Sequence, residues 1–573
     1  MASIGWAVGF FGQENLGKEN NKLMNISHTS ASRMTVNRSW GSLAVIIFIA
    51  GAIRVYFLTG FQGTDDLVFA KVAYNIANGS FKPGTYIGTL RYGLNLPLAI
   101  STMFFGFNEY ALTLYPLITS LVTILTVYLI GKDLFGRQVG LGAAVLMAFC
   151  PLDIIWAGRI QADAPLLMFM VASCLLFFKA MENHANVHVA NGLFFASGVL
   201  LGLGYATKNV AIFLGPFLGF LAWYRTVWLF RMAWVVGGFL VVFAAEAAFF
   251  FWQTGDPLYP FTVQSLHNKK VASIVSMGDS AELVSWPLAY PYWAFVGLQH
   301  VGLTFYLAAV AWAVYFFRKT SGALEVRRKV VMLFAWFLSI LLILTFYVMS
   351  WKPFVLIWKQ PNYMLMFIPP LLLLTAFYLM VLNRTWRTVV MVIYAVTSLV
   401  FTSVEREVLA AESSNARATA RWYLEEGRGV PLYCGVRDCG MVSLLAGYKD
   451  ESRLIPYNDP FQNIAGPADL TSIRWGVVAI NYHWLKRSGE SVTSQNRQII
   501  ESPPAEWKLI RVLKHESHGV LYWGRRVVAE IGRHGMVPQQ LVSVVERKIR
   551  EAVEPDPVWI YQVGEYAGTR KTP

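Results

Sequence analysis

The sequence predicts an α-helical polytopic membrane protein that ends in a small soluble α/β domain. Three observations predict it. The composition, 55% hydrophobic and 14% charged with a mean hydropathy of +0.46, lies well outside the soluble range. Apolar runs long enough to cross a bilayer recur from Ser42 to Val404. From about Glu405 the composition becomes that of a soluble chain.

A span needs roughly 20 apolar residues. Such runs lie near 42–60, 110–131, 139–157, 164–180, 190–206, 209–225, 233–252, 300–317, 330–349, 363–382 and 388–404, which gives about eleven crossings. Residues 1–39 lack a charged start, apolar centre and cleavage site, and read as a disordered cytoplasmic leader. The run from Leu94 to Phe107 is short and contains Pro97, so it is expected to lie in the interface.

The formal charge of +14 invites a nucleic-acid reading, but the basic residues sit in short segments between apolar runs. That is the positive-inside pattern, with contact to anionic lipid head groups and no nucleic acid. Lys132, Arg137, Lys179, Arg225, Arg231, Arg318, Lys319, Arg327 to Lys329, Arg384 and Arg387 fall on the cytoplasmic side. The loops holding Asp65, Arg159, Lys208, residues 253–299 and Lys359 then face outward, as does everything after the last span.

The region 405–573 alternates short β-like runs at 430–434, 475–482, 508–513 and 519–524 with helical stretches at 414–427 and 538–553, after which the tail is expected to lose order. The domain organisation expected is therefore a leader at 1–39, a membrane domain at 40–404 and an external α/β domain at 405–573. Cys150 and Cys174 fall in apolar runs and read as core residues. The spacing of Cys434 and Cys439 fits a disulfide if the region faces an oxidising compartment, and no second Cys or His pair accompanies them as a zinc site needs.

The candidate chemistry gathers on the outer side. The stretch from Gly63 to Tyr74 places Asp65 and Asp66 at the head of a helix with apolar positions at Leu67, Val68, Val72, Ile76 and Ala77, an amphipathic helix suited to the interface. A carboxylate there can meet a lipid-borne substrate; the plainer reading is a helix cap. Arg91 follows. Arg159 and Asp163, four apart, share a helix face and can pair. Lys208 interrupts an apolar hairpin, where it either snorkels or serves a site. Beside His267, Lys269 and Lys270 read either as solvated loop charges or, for Lys269, as a substrate-binding cation, and Lys359 precedes the tenth run. Carboxylates among several cations suit one reaction well: a base takes a proton from an acceptor hydroxyl while cations hold a departing phosphate.

The order of motifs resembles the membrane glycosyltransferases of the C-type (GT-C) fold, and most of all bacterial relatives of protein O-mannosyltransferases and of the lipid A aminoarabinose transferase. The resemblance rests on the carboxylate pair, Leu-Pro-Leu at 96–98, Phe-Gly at 105–106, Lys-Asp-Leu-Phe-Gly at 132–136, Pro151 through Arg159 to Asp163-Ala-Pro-Leu, Gly204 to Lys208, and Thr254 to Leu258. It covers about residues 40 to 385. It implies a GT-C fold and an inverting transfer from a polyprenyl-phosphate sugar on the external face.

Residue by residue, the resemblance makes Asp65 the general base, with Asp66 beside it and Asp163 the carboxylate of the second external loop. Arg159 precedes Asp163, and Lys208 faces the carrier phosphate. Arg91 stands where relatives carry a lysine, and Asn362-Tyr363 replaces an Arg-Tyr pair, so Lys359 substitutes for the missing cation. The implied partners are the donor, a lipid, glycan or protein acceptor, and membrane lipids, in a bacterial inner membrane with the site and the C-terminal domain periplasmic. The cofactor is left open: a divalent ion (Mg or Mn) between Asp65 and Asp163 is one alternative, and the abundance of cations that makes it unnecessary favours none. A transporter or flippase is the rival class. It would show two similar halves and charges at mid-membrane, and the sequence has neither.

Overall fold

The computed structural model describes residues 33–183, 186–225, 229–276, 286–317, 324–352, 354–449, 451–458, 467–483, 492–534 and 538–564. The expected leader lies outside the described residues up to residue 32, as do Arg318 and Lys319.

Helix α1 (Arg33–Tyr56) leads to a short loop and α2 (Asp65–Ala77). A 3₁₀ turn (Ile87–Leu90) precedes α3 (Tyr92–Phe105), the expected short helix. Helix α4 (Glu109–Phe135) starts where Asn108 accepts the Ala111 N–H at 2.9 Å. It ends at Gly136, whose φ of +95° needs a residue without Cβ. The expected span at 139–157 is instead a pair, α5 (Arg137–Ala148) and α6 (Pro151–Ala157), bent by 61°. Pro151, at the first position of α6, has no N–H to continue the preceding ladder.

Helices α7 (Asp163–Glu182), α8 (Val187–Thr207), α9 (Gly215–Tyr224) and α10 (Leu229–Thr254) complete the first half. A Cβ on Gly198 of α8 would strike the Val235 carbonyl, and one on Gly238 of α10 the Phe195 carbonyl, so these two helices approach closely through small residues. The segment that follows contains α11 (Tyr259–Ser276), α12 (Ala289–Phe295) and α13 (Leu298–Val301). Then come α14 (Thr304–Phe317), α15 (Leu324–Phe346), a hairpin of β1 (Val348–Trp351) and β2 (Phe354–Leu356), a 3₁₀ turn (Pro361–Phe367) and α16 (Ile368–Leu379).

Among the described residues seven helices are long and apolar enough to cross a membrane, or eight with the bent pair. The shorter apolar helices Trp40–Tyr56, Asn209–Tyr224 and Thr304–Tyr315 occupy the remaining expected runs. The protein is a multi-pass membrane protein. Its lipid-facing character shows in exposed apolar side chains such as Phe48, Trp223 and Phe230.

The runs expected separately at 388–404 and 414–427 belong to one helix, α17 (Arg384–Trp422), which continues into a π turn to Gly427. Glu405, Arg406 and Glu407 end the apolar run but do not end the helix, because charged side chains project outward without disturbing backbone bonding. Helix α17 thus carries the chain directly into the C-terminal domain.

That domain holds β3 (Leu432–Cys434), α18 (Val436–Leu445), β4 (Leu454–Pro456), β5 (Gly476–Asn481), α19 (Ser494–Glu501), β6 (Lys508–Leu513), α20 (Val520–Arg533), α21 (Gln539–Val553) and β7 (Val558–Val563). The sheet order is β4-β3-β5-β7-β6, with β3 parallel to β4 and β5, and β7 antiparallel to β5 and β6. Strand β5 is buried throughout and alternates, Val477 and Ala479 to one core and Val478 and Ile480 to the other. Cys434 and Cys439 form a disulfide.

Two expectations are corrected here. Residues 519–524 open α20, because Leu521, Val528 and Ile531 follow a helical and not a two-residue period. The tail continues in order after Val553 as far as the strand Val558–Val563, which pairs between two strands, and residues 565–573 lie outside the described residues.

Helix α2 is covered by protein. Its Phe69, Ala70 and Ala73 share a core with Leu94 and Leu98 of α3 and with Met441, Val442 and Ala416 of the C-terminal region. Lys71 pairs with Glu451 at 2.7 Å, and the Tyr74 ring lies 4.7 Å from that of Tyr448. Its apolar residues face a protein roof, which removes the need for lipid to cover them.

Candidate functional site

The loop after α1 brings the first carboxylates into position. Asp65 opens α2, and its Oδ1 accepts the Tyr86 hydroxyl proton at 2.6 Å. Burial first, and then the Asp65 charge, push the Tyr86 phenol far above its usual range. Tyr86 therefore stays a proton donor to Asp65 at physiological pH.

Asp66 turns the other way. It is 1% exposed and accepts from the N–H groups of Gln62 at 2.7 Å, Gly63 at 3.2 Å and Thr64 at 2.7 Å, and from the Thr64 hydroxyl at 2.8 Å. It does not cap the helix. It closes the loop that leads into the helix, and Gly63, at φ +78°, supplies the turn.

The second carboxylate has a different partner from the one its spacing suggested. Lys208 Nζ donates to Asp163 Oδ1 at 2.8 Å, and Asn362 Nδ2 donates to the same oxygen at 2.9 Å. Arg159 does not join them. Helix α6 ends at Ala157 and α7 begins at Asp163, so no helical turn places the two on one face. Arg159 instead bridges to Gly60 through its backbone and lays its guanidinium 4.3 Å from the Trp156 ring. Its Nε is buried without a hydrogen-bond partner, as is Asp163 Oδ2.

Lys208 does not snorkel. It is 6% exposed and lies 4.5 Å from the Tyr363 ring. Tyr363 in turn acts electrostatically on Tyr86, as does Arg91, which stands 5.5 Å from the Phe69 ring. Two contact groups result, Asp65 with Tyr86 and Asp163 with Lys208 and Tyr363, and the Arg91 and Tyr363 charges act on Tyr86 between them. Lys359 is 1% exposed near the start of the same 3₁₀ turn as Asn362, and burial pulls its ammonium below the usual lysine range. Lys269 is exposed on α11, while His267 lies 6.2 Å from the Tyr86 ring. The side chain of Lys270 lies outside the described residues.

Sequence reasoning missed the brace on this loop. Arg417 of α17 donates to the Thr59 carbonyl at 3.3 Å, to the Phe61 carbonyl at 2.8 Å and to the Glu109 carboxylate, which also accepts the Phe61 N–H at 2.6 Å. A second missed pair lies deeper. Arg54 and Asp153, both 0% exposed, meet at 2.5 Å with Ser120 bonded to each, and tie α1, α4 and α6 together. No sequence spacing announces contacts between residues so far apart.

Among the described residues no three His, Cys, Asp or Glu side chains converge as a metal-ligand set.

The fold is that of the C-type (GT-C) membrane glycosyltransferases. Residues 94–252 match the family described as dolichyl-phosphate-mannose-protein mannosyltransferase. A stretch of 115 residues is 25% identical to the putative mannosyltransferase YkcB of Bacillus subtilis (strain 168), covering 20% of this chain and 15% of that protein's length. Among solved structures, ArnT from Cupriavidus metallidurans in the apo state superposes with a TM-score of 0.59 at 13% identity, over 83% of this chain and 96% of ArnT. The same protein bound to undecaprenyl phosphate gives 0.57 at 13% identity, over 78% and 95%. The apo Archaeoglobus fulgidus oligosaccharyltransferase gives 0.53 at 12% identity, over 92% and 88%.

Proposed function

We propose that this protein is an inverting glycosyltransferase that moves a sugar from a polyprenyl-phosphate carrier to an acceptor hydroxyl. The observation that carries the reading is the pairing of two groups, Asp65–Tyr86 and Tyr363–Lys208–Asp163, with Arg91, which sets a braced carboxylate among cations at one membrane face. The match to a mannosyltransferase family and the likeness to ArnT crystallised with undecaprenyl phosphate support the donor class.

In this reading the lipid-linked sugar enters from the outer leaflet. Its phosphate meets Lys208, whose ammonium carries three protons of which Asp163 takes one. Arg91 and the unpartnered Nε of Arg159 add charge, and Lys359 and Lys269 flank the approach. Asp65 takes the proton of the acceptor hydroxyl, the oxygen attacks the anomeric carbon from the face opposite the phosphate, and the phosphate leaves with the bonding pair. Phosphate is already a good leaving group, so positioning and charge stabilisation dominate. Asp66 serves by holding the loop that aims Asp65. No step requires a metal ion. The acceptor classes that fit are an envelope glycolipid such as lipid A, a glycan or a protein side chain, on the periplasmic side of a bacterial inner membrane.

The test is transfer of radiolabelled sugar from a crude polyprenyl-phosphate-sugar pool into membranes carrying the wild type or Asp65→Asn. Label in a lipid, glycan or protein fraction with wild type alone supports the reading and names the acceptor class. Equal label with both variants removes Asp65 from its role, and no transfer by folded wild type favours the transporter class.

A further inference from the structure

The C-terminal domain inserts a helical hairpin, α20 and α21, between β6 and β7, two strands that pair with each other. The sheet does not need this insertion to close. The hairpin is nonetheless tightly built: Gln539 Nε2 donates to the Gly532 carbonyl at 2.8 Å, Val542 presses on Gly532, and Arg525 pairs with Glu554 at 2.5 Å.

Its outward faces are apolar. Val520, Trp523 and Val527 recur at helical spacing on α20 and Leu541 and Val544 on α21, all between 43% and 58% exposed. Basic residues border them. Between Val520 and Val553 there are six Arg or Lys and three Glu, a net of +3. Arg526 lies 5.4 Å from the exposed Trp523 ring. A tryptophan flanked by arginine on an amphipathic helix is the composition of an interfacial helix.

The height of the hairpin is fixed independently. In α17 the seventeen residues 388–404 carry no charge, and span about 26 Å of helix. Glu405, Arg406 and Glu407 therefore stand at the outer boundary of the hydrocarbon. Arg406 stacks there on Tyr56 and Phe57, at the outer end of α1. Glu407, 9% exposed, accepts the Leu521 N–H at 2.7 Å, the Tyr522 N–H at 3.3 Å and the Ser517 hydroxyl proton. Gly519 leaves room for that carboxylate, since a Cβ there would push the Glu407 side chain away. The membrane-boundary residue of α17 is thus the N-terminal anchor of α20, and both hairpin helices pack on α17.

We infer that the α20–α21 hairpin seats in the head-group layer of the outer leaflet, with Trp523, Val527 and Val544 toward the acyl boundary and its arginines on anionic phospholipid. The hairpin then steadies α17 and, through Arg417, the loop that precedes Asp65. The surface is independent of which sugar or acceptor the protein uses.

The experiment uses the full chain reconstituted in vesicles of phosphatidylcholine, with or without phosphatidylglycerol. Cys150 and Cys174 are buried and Cys434 is bonded to Cys439, so one introduced cysteine labels selectively. An environment-sensitive fluorophore is placed at Val527→Cys, at Val544→Cys or, as control, at the exposed Arg497→Cys of α19. Head-group and shallow acyl-chain spin labels are expected to quench the first two and not the third, roughly twofold more strongly with phosphatidylglycerol. The added Arg526→Glu and Arg547→Glu substitutions are expected to abolish the phosphatidylglycerol increment. Absence of quenching at both hairpin positions, or quenching equal to the control, overturns the inference. A fluorescence change that follows protein concentration and not lipid assigns the face to a second copy and overturns it as well.

Discussion

Lys208 Nζ donates a hydrogen bond to Asp163 Oδ1 at 2.8 Å, and neither side chain is more than 6% exposed. A buried pair of this kind is costly to break from one side, because the survivor is left charged without its partner. The pair joins the start of α7 to the end of α8, so it positions the proposed phosphate-facing ammonium and holds two helices together.

The single variants Lys208→Met and Asp163→Leu are each expected to lose about 3–5 kcal/mol of stability, while the double variant recovers most of it. Thermal unfolding in detergent or nanodiscs measures the difference. The double variant stays inactive, which separates the structural role from binding of the donor.

Asp65 and Asp66 are adjacent but should fail differently. Asp66→Asn replaces an acceptor that serves three backbone N–H groups by an amide that can turn only one oxygen to them. It should destabilise by about 1–3 kcal/mol. Asp65→Asn should leave the melting temperature close to that of the wild type and remove transfer.

Arg417 is a positioning residue. Arg417→Ala should lower kcat roughly tenfold with little change in donor affinity, because the loop before Asp65 loses its brace to Glu109 and Phe61. Arg417→Lys keeps the charge but not the forked geometry and should recover only part of the rate. Steady-state kinetics with donor varied separates the two effects.

Burial holds the Lys359 ammonium below the usual lysine range. Activity that uses its charge should therefore fall on the alkaline side earlier than an exposed lysine would allow, and Lys359→Arg should move that limb to higher pH. Stability runs in the opposite sense. The unfolded chain binds this proton more tightly, so the cost of the buried charge is present below the depressed pKa and is relieved as pH rises from there toward the unfolded value.

Much of the site was legible because charge in an apolar chain is expensive and therefore conspicuous. Asp65, Asp163 and Lys208 stand out in the sequence for that reason. Tyr86 did not, since an aromatic in an external loop looks like any interfacial residue. Arg417 and Glu109 lie in separate elements whose meeting no local pattern encodes. The spans were read from apolar length, yet α17 was cut at Glu405 because composition changes there while the helix does not. The stretch 519–524 looked like a strand because Val520, Tyr522 and Trp523 favour strands. Its fate was decided by Glu407, which caps a helix there from α17.

The most direct measurement takes donor binding and turnover on one reconstituted preparation of wild type and Asp65→Asn. A polyprenyl-phosphate sugar should bind both with similar affinity, while release of polyprenyl phosphate coupled to transfer should fall at least about a hundredfold in the variant. Turnover of Asp65→Asn at the wild-type rate would contradict the assignment of Asp65 as the base, and with it the account of the site.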